Sequence, residues 1–292
     1  MEWEDIIQRL KDNGTSRNTI FYLDLSRQKI DKEKAKEIVE ALKSNISLTD
    51  LSLQSTQIGD EEVQVIAEIL KGHTPLQQLS LMSNKIGNEG AQAIAQVLKI
   101  NTSLRILHLN KNHIGYEGAQ AIAEALAVNN SLHILDLSYN QIGEKGAHDI
   151  AQALKENSSL QQLILGHNHI GEEGAKDIAQ TLQANKSLLV LFLENSPIGD
   201  KGSQVISKAL QYNTSLETLY LGKNQIGDMG IKFLINMLSI NYSIGKIFIV
   251  NNNINSTYNQ KVDQLVNINR NPTSNSYQDK ILRRKIYFNI VL

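Results

Sequence analysis

The chain has 292 residues, of which 41% are hydrophobic, 5% are aromatic and none is cysteine. The formal net charge of −1 gives no electrostatic reason to propose DNA or RNA as a partner. Disulfide bonds, cysteine-ligated metals and thiol catalysis are excluded by the missing cysteine.

The first segment, residues 1–19, is predicted to form an amphipathic helical cap. Its apolar side chains share one helical face, and Asn13 and Gly14 then supply a helix stop. The residues of that face are Trp3, Ile6, Ile7 and Leu10. A cap at this point would cover apolar core and strand edge that the end of a repeat stack otherwise exposes.

No stretch of the chain has the pattern of a targeting or membrane segment. The opening residues mix acidic and apolar side chains and contain no apolar core of signal-peptide length. No run approaches the roughly 18 apolar residues that a membrane-spanning helix needs. We therefore expect a soluble protein made in a cytosol, with no membrane partner.

Residues 20–271 are predicted to form nine copies of one 28-residue unit, represented by Leu132–Ser159. Three leucines are spaced for the buried side of a short strand, and an i, i+3, i+4, i+7 stripe indicates one helix. The strand leucines are Leu132, Leu135 and Leu137, and the helix stripe is Ala147, Ile150, Ala151 and Leu154. One strand and one helix cannot enclose a core, so each unit must stack on the next.

Segments such as LRILHLNKNHIGYEGAQAIAEAL, Leu104–Leu126, resemble leucine-rich repeats of the ribonuclease-inhibitor type. The resemblance covers residues 20–271 and implies an α/β solenoid. In that fold a right-handed, horseshoe-like arc carries a parallel sheet on its concave side and helices on its convex side. An asparagine after most strands matches the family's ladder position, where its amide satisfies backbone groups of the turn. These residues are Asn84, Asn112, Asn140, Asn168, Asn224 and Asn252.

Residues 272–292 leave the 28-residue period and are predicted to close the last repeat. Ile286, Phe288 and Ile290 alternate as in a strand, whereas Ile281, Leu282 and Ile286 also suit a helix, and both readings stay open. We expect the cap, the nine repeats and this segment to form a single structural domain.

Ser80, His108 and Asp136 are the only constellation that resembles a catalytic set. They occupy the same outward strand position in three consecutive repeats, so stacking would place them side by side. A serine hydrolase also needs an oxyanion hole and a water-excluding pocket, which an open sheet does not offer. We therefore predict no enzyme, no catalytic residue, no metal site and no cofactor. His108 and Asp136 are interpreted as a surface contact contributing about 0–1 kcal/mol.

The outward strand positions, which vary between repeats, are the predicted binding surface. They change from polar in the early repeats to apolar and aromatic in the last four, and exposed apolar, aromatic patches are typical of interaction sites. The predicted protein-binding residues are His108, Ile134, Asp136, Ile164, Val190, Phe192, Glu194, Tyr220, Phe248 and Val250. A polar rim at the strand ends is predicted to comprise Lys111, Tyr139, His167, Asn195 and Lys223.

These features favour a non-catalytic module that binds a protein partner on its concave face. The resemblance to ribonuclease inhibitor implies inhibition or regulation of an enzyme by occlusion. The repeat-only architecture also resembles leucine-rich-repeat effectors of intracellular bacteria such as Legionella, which implies a host protein or another effector as partner. The chain is expected to be cytoplasmic and monomeric alone.

Three alternatives remain open at the level of the sequence. One is a GTPase-activating protein resembling the Ran activators, which is weakened by the missing acidic tail and by the lack of a candidate arginine finger. A second is a scaffold that homodimerises through the aromatic patch. In the third, the C-terminal segment folds back over Phe248 and Tyr220.

Overall fold

A computed structural model of the protein describes residues 2–11, 20–71 and 74–269. After a leading helix, these ranges alternate strand and helix, and the chain divides into two compact units, Met1–Gln141 and Ile142–Leu292. The predicted closing segment 272–292 and residues 12–19 of the predicted cap lie outside the described residues. No helix in the described ranges is long and apolar enough to cross a membrane.

The described part of the first unit begins with a helix and then repeats a strand and a helix. Its elements are α1 (Trp3–Lys11), β1 (Tyr22–Asp24), α2 (Lys32–Leu42), β2 (Asp50–Ser52), α3 (Asp60–Ala67), β3 (Gln78–Ser80), α4 (Asn88–Leu98), β4 (Ile106–His108), α5 (Tyr116–Val128) and β5 (Ile134–Asp136). A short 3₁₀ helix, Glu68–Lys71, extends α3. α1 packs against α2, where Lys34 Nζ lies 4.8 Å from the Trp3 ring centroid.

The strands of the first unit pair in parallel and in chain order. The central leucine of each strand is paired in register with the next and is buried, whereas its two neighbours are half-buried or exposed. These leucines are Leu23, Leu51, Leu79, Leu107 and Leu135. Because alternate strand side chains point to opposite faces, the leucines enter the core beneath the helices and their neighbours form an open face. Each buried leucine contributes about 1.5–3 kcal/mol.

The second unit repeats the same architecture. Its elements are α6 (Gly143–Glu156), β6 (Gln162–Ile164), α7 (Gly171–Leu182), β7 (Val190–Phe192), α8 (Gly199–Leu210), β8 (Thr218–Tyr220), α9 (Asp228–Ile240), β9 (Lys246–Phe248) and α10 (Ser256–Asn269). Strands β6 to β9 are parallel and in register through Leu163, Leu191, Leu219 and Ile247. Ile247 is only half-buried, because β9 is the last described strand and pairs on one side only.

The predicted asparagine ladder is confirmed, and Asn112 shows its geometry. The buried side-chain amide of Asn112 donates to the backbone oxygen of Leu109 at 2.9 Å and to that of Leu81, one repeat earlier, at 3.0 Å. Its Oδ1 accepts from the Ile86 amide at 3.1 Å. One side chain therefore satisfies three backbone groups that the turns leave without sheet or helix partners.

Candidate protein-interaction surface

Three aromatic rings stack on the open face of the second unit. Phe192, Tyr220 and Phe248 are the last residues of β7, β8 and β9 and are paired in register. The Phe192 and Tyr220 ring centroids are 3.8 Å apart with planes 7° from parallel, and those of Tyr220 and Phe248 are 4.3 Å apart at 8°. In-register parallel strands bring equivalent side chains this close, so the repeat period produces the stack. We call these three residues the aromatic ladder.

The aromatic ladder lies within a wider apolar area. Ile164 pairs in register with Phe192, and Val190 is the first residue of the same strand as Phe192. Phe248 is 37% exposed and Val250 is 62% exposed, while the other members are half-buried. We call the ladder together with Ile164, Val190 and Val250 the aromatic surface. The structure thus brings all six predicted apolar residues of the second unit onto one face.

The rim residues of the second unit also lie next to one another. His167, Asn195 and Lys223 each follow a strand and adopt positive φ angles of 61°, 50° and 56°. The Asn195 side-chain nitrogen lies 2.9 Å from His167 Nδ1. Partial burial lowers the pKa of His167, and the positive charge of Lys223 lowers it further. The imidazole is therefore neutral near pH 7, and Nδ1 accepts from the Asn195 amide. Half-buried Glu194 precedes this rim.

The remaining predicted site residues lie in the first unit. His108 Nδ1 is 3.9 Å from Asp136 Oδ2, which is too long for a hydrogen bond. Burial lowers the pKa of His108, while the Asp136 charge acts in the opposite direction. Ile134 is half-buried in β5, and Lys111 Nζ lies 5.4 Å from the centroid of the exposed Tyr139 ring.

The Ser80, His108 and Asp136 set is adjacent in register, as the stacking predicts. Asp136 Oδ1 accepts from the Ser138 amide at 2.9 Å and from the Ser138 hydroxyl at 2.7 Å. Because this carboxylate orients Ser138 and holds the imidazole only at 3.9 Å, it does not act as the orienting acid of a triad. In the described part of the chain, no group of three or more His, Cys, Asp or Glu residues could hold a metal ion.

A hollow on the open face of the first unit escaped the sequence analysis. Its lining includes Tyr22, Asp50 and Asn110 together with His108 and Asp136. Polar residues recur at the outward strand positions of the early repeats, and this recurrence is the sequence signal that could have indicated the hollow.

Comparison with known proteins identifies the repeat class. A family described as leucine rich repeat matches residues 44–67, 72–95, 101–123, 128–151, 156–179 and 212–234. The chain is a leucine-rich-repeat protein. The α/β leucine-rich-repeat solenoid predicted from the sequence is confirmed by this match and by the strand and helix order. Such repeats support a protein-interaction module, in a fold that is generally non-catalytic. No curated protein sequence matches the chain.

Solved structures align with the chain at low sequence identity, and the one with a TM-score above 0.5 shares the fold. An internalin from Listeria monocytogenes aligns with a TM-score of 0.53 and 20% identity, over 80% of this leucine-rich-repeat chain and 62% of the internalin chain. The Caenorhabditis elegans tropomodulin C-terminal domain aligns with a TM-score of 0.40 and 18% identity, over 63% of this chain and 93% of the tropomodulin chain. Leiomodin-1 actin-binding site 2 aligns with a TM-score of 0.37 and 26% identity, over 56% of this chain and 79% of the leiomodin chain. These likenesses show neither the ribonuclease-inhibitor subtype nor the resemblance to Legionella effectors.

Proposed function

We propose that this leucine-rich-repeat protein is a non-catalytic binding module whose second unit contacts a protein partner through the aromatic surface. The observation that carries the proposal is the stack of Phe192, Tyr220 and Phe248 on an open sheet face. The core leucines lie on the opposite side of these strands, so the scaffold does not need the rings for burial. Exposed apolar patches of this kind are costly to keep in water and mark interaction sites.

The aromatic ladder has the properties of a binding hot spot. Stacking restricts the rings before a partner arrives, so little side-chain entropy is lost on association. Hydrogen-bonding groups follow the strands of the aromatic surface closely in sequence. They belong to Glu194, His167, Asn195 and Lys223. An apolar aromatic centre with a polar border is the arrangement in which a few residues carry most of the binding energy.

The finer proposal is that binding occludes a functional surface of the partner. A rigid repeat face can cover an active site or substrate groove without any chemistry of its own. The resemblances of the repeats favour an enzyme regulator that acts in a cytoplasm, as a bacterial effector or effector regulator. The partner would then be a host protein or another effector.

The test compares wild type with the Phe192→Ala/Tyr220→Ala double variant in an affinity pull-down, with the captured proteins identified by mass spectrometry. We expect the double variant to lose the partner, because removing hot-spot aromatics costs about 2 kcal/mol or more each. Phe21→Ala/Tyr212→Ala is the matched control, since it removes one exposed Phe and one exposed Tyr outside the aromatic surface. Thermal unfolding establishes that both variants are folded.

Two outcomes would contradict the proposal. Equal capture by the Phe192→Ala/Tyr220→Ala variant would exclude the aromatic surface as the binding site. A GTP-hydrolysis assay with captured or candidate GTPases addresses the catalytic alternative. Stimulated turnover would favour a GTPase activator over a module that acts by stoichiometric binding.

A further inference from the structure

An apolar cleft lies at the end of the second unit, between β9 and α10. Its volume is about 510 Å³, which is within the range of sites that enclose groups of small-molecule size. Its apolar lining consists of Ile247, Phe248, Ile249, Val250, Val262 and Val266. We call it the end cleft. Phe192 and Tyr220 are not among its described lining residues, so a role of the end cleft does not depend on the proposed function.

The core is covered less completely at the end cleft than at the preceding strand. Ile247, the central residue of β9, is half-buried, whereas Leu219 at the same position of β8 is 0% exposed. Ile249 is 7% exposed, and its counterpart Leu221 is 0% exposed. Removing apolar surface from water contributes about 25 cal/mol per Å², so an apolar group in the end cleft would stabilise this end of the second unit.

The outer edge of β9 adds a requirement for backbone pairing. In the preceding repeat, the Leu221 amide donates to the Phe248 oxygen at 2.7 Å, which joins β8 to β9. The equivalent amide one repeat later is that of Ile249, and no described residue accepts from it. An unpaired strand edge is a template for another extended segment. A helix could not take this place, because its backbone oxygens are bonded within the helix.

Residues 286–292 of the same chain have the chemistry that this edge requires. Apolar side chains alternate along them, a pattern typical of a strand with one buried face. The alternating residues are Ile286, Phe288, Ile290 and Leu292. A strand with this pattern could place one row of apolar side chains in the end cleft while its backbone pairs with β9.

The position of α10 places this segment within reach. α10 ends at Asn269, and Asn267 is among the residues that line the end cleft. The helix has 14 residues and is therefore about 21 Å long. Residues 270–285, fully extended, span up to roughly 50 Å, so they can return residues 286–292 to any part of the end cleft.

We propose that residues 286–292 occupy the end cleft as an added strand, with their backbone paired to the outer edge of β9. An oxygen of this strand accepts from the Ile249 amide, and Phe288 and Ile290 fill the space beside Ile247. Tethering favours this occupant over a separate protein, because a site on the same chain is met at an effective concentration on the order of 1 mM. A partner present at about 1 μM would need an affinity about a thousandfold higher to displace it.

The test measures amide hydrogen exchange by NMR in the full-length chain. In Phe288→Asp/Ile290→Asp we expect the Ile249 amide to exchange about tenfold or more faster than in wild type, because an acidic side chain does not enter an apolar cleft. The Leu193 amide, which donates to the Tyr220 oxygen at 2.9 Å in the same unit, should exchange at the wild-type rate.

Two further variants separate loss of this contact from misfolding. Phe288→Leu/Ile290→Leu keeps both side chains apolar and should retain slow exchange of the Ile249 amide. Phe21→Asp is the matched control, because it places the same charge at a phenylalanine that is 60% exposed in the first unit, and it should leave the Ile249 amide unchanged. Circular dichroism establishes that each variant is folded.

An engineered disulfide locates the segment, since the chain contains no cysteine of its own. Asp263 is exposed and lines the end cleft, so Asp263→Cys/Ile290→Cys should form a disulfide within one chain. Glu173→Cys/Ile290→Cys, at an exposed position of α7, is the control and should form it about tenfold or more slowly. The difference is expected because a disulfide requires Cβ atoms about 3.5–4.5 Å apart.

The proposal would be overturned by equal exchange of the Ile249 amide in wild type and in Phe288→Asp/Ile290→Asp. Equally fast exchange in Phe288→Leu/Ile290→Leu, or equal rates of disulfide formation in the two cysteine pairs, would also overturn it. Protection that increases with protein concentration, or disulfides between chains, would assign the end cleft to a second copy. Protection that appears only on addition of a protein captured in the pull-down would assign it to that partner.

Discussion

At the residue scale, two buried asparagine positions connect most repeats to the one before. Asn112 represents the position after the strand and bonds to the backbone of Leu81 and Ile86. Asn129 represents the position at the helix end, where its amide donates to the Leu98 oxygen at 2.7 Å and its Oδ1 accepts from the Leu132 amide at 2.8 Å. Buried polar groups are retained in such a stack because each one satisfies backbone that neighbouring repeats leave unpaired.

We expect Asn112→Ala to lower the free energy of unfolding by about 3 kcal/mol. The variant leaves the buried Ile86 amide without its partner, and it removes one of the two asparagine donors from each of the Leu81 and Leu109 oxygens, which keep those of Asn84 and Asn140. Asn112→Thr should cost less, since Thr56 at the equivalent position still donates to the Leu53 oxygen at 2.7 Å. Urea unfolding followed by circular dichroism measures both changes. Asn130→Ala is the control, because Asn130 is an exposed asparagine, and this change should alter stability by less than about 0.5 kcal/mol. A decrease of less than about 1 kcal/mol in the free energy of unfolding of Asn112→Ala would contradict a structural role for the asparagine ladder.

At the element scale, several helices are capped by the preceding repeat rather than by their own residues. Asp60 Oδ1 accepts from the Gly87 amide at 2.7 Å and from the Gly90 amide at 2.9 Å, at the start of α4. A Cβ on Gly90 would lie 2.5 Å from Asp60 Oδ1, so this glycine makes room for the cap. In the second unit Asp200 caps the start of α9 through Gly227 and Gly230 in the same way.

We expect Asp60→Ala to destabilise the protein by about 1 kcal/mol, the usual cost of a lost helix cap. Asp60→Asn is the matched control, because Asn88 fulfils the same role one repeat later and bonds to the Gly115 amide at 2.7 Å. Thermal or urea unfolding of the two variants gives the comparison. If Asn destabilised as much as Ala, the loss would come from the charge of Asp60 within α3 and not from capping of α4.

The sequence predicted every element whose signal repeats, and it missed contacts that depend on neighbouring side chains. The leucine and isoleucine spacing predicted strands, helices and register together, since a fixed period places Phe192, Tyr220 and Phe248 at one strand position. The pairing of Asp60 with Gly90 could not be predicted, because it joins side chain and backbone of two neighbouring repeats. The unpaired Asn110 Oδ1 could not be predicted either, because it depends on side-chain orientation in a three-dimensional surrounding.

At the scale of the whole molecule, the two units carry different chemistry on the same kind of scaffold. The open face of the first unit presents carboxylates around a hollow, whereas that of the second unit presents stacked rings. The buried positions of the two units are nearly interchangeable, so they specify stacking alone.

The aromatic surface also bears on the oligomeric state, for which we expect a monomer. A stable homodimer through this surface would bury roughly 1,200–2,000 Å² in total, as any other stable interface does. In line with the proposed function, in which a different protein occupies the surface, sedimentation velocity over a wide concentration range should give one species near 32.6 kDa. The Phe192→Ala/Tyr220→Ala variant should sediment like wild type. A concentration-dependent dimer that this variant abolishes would instead assign the aromatic surface to self-association, and the partner lost in the pull-down would be a second copy of the chain.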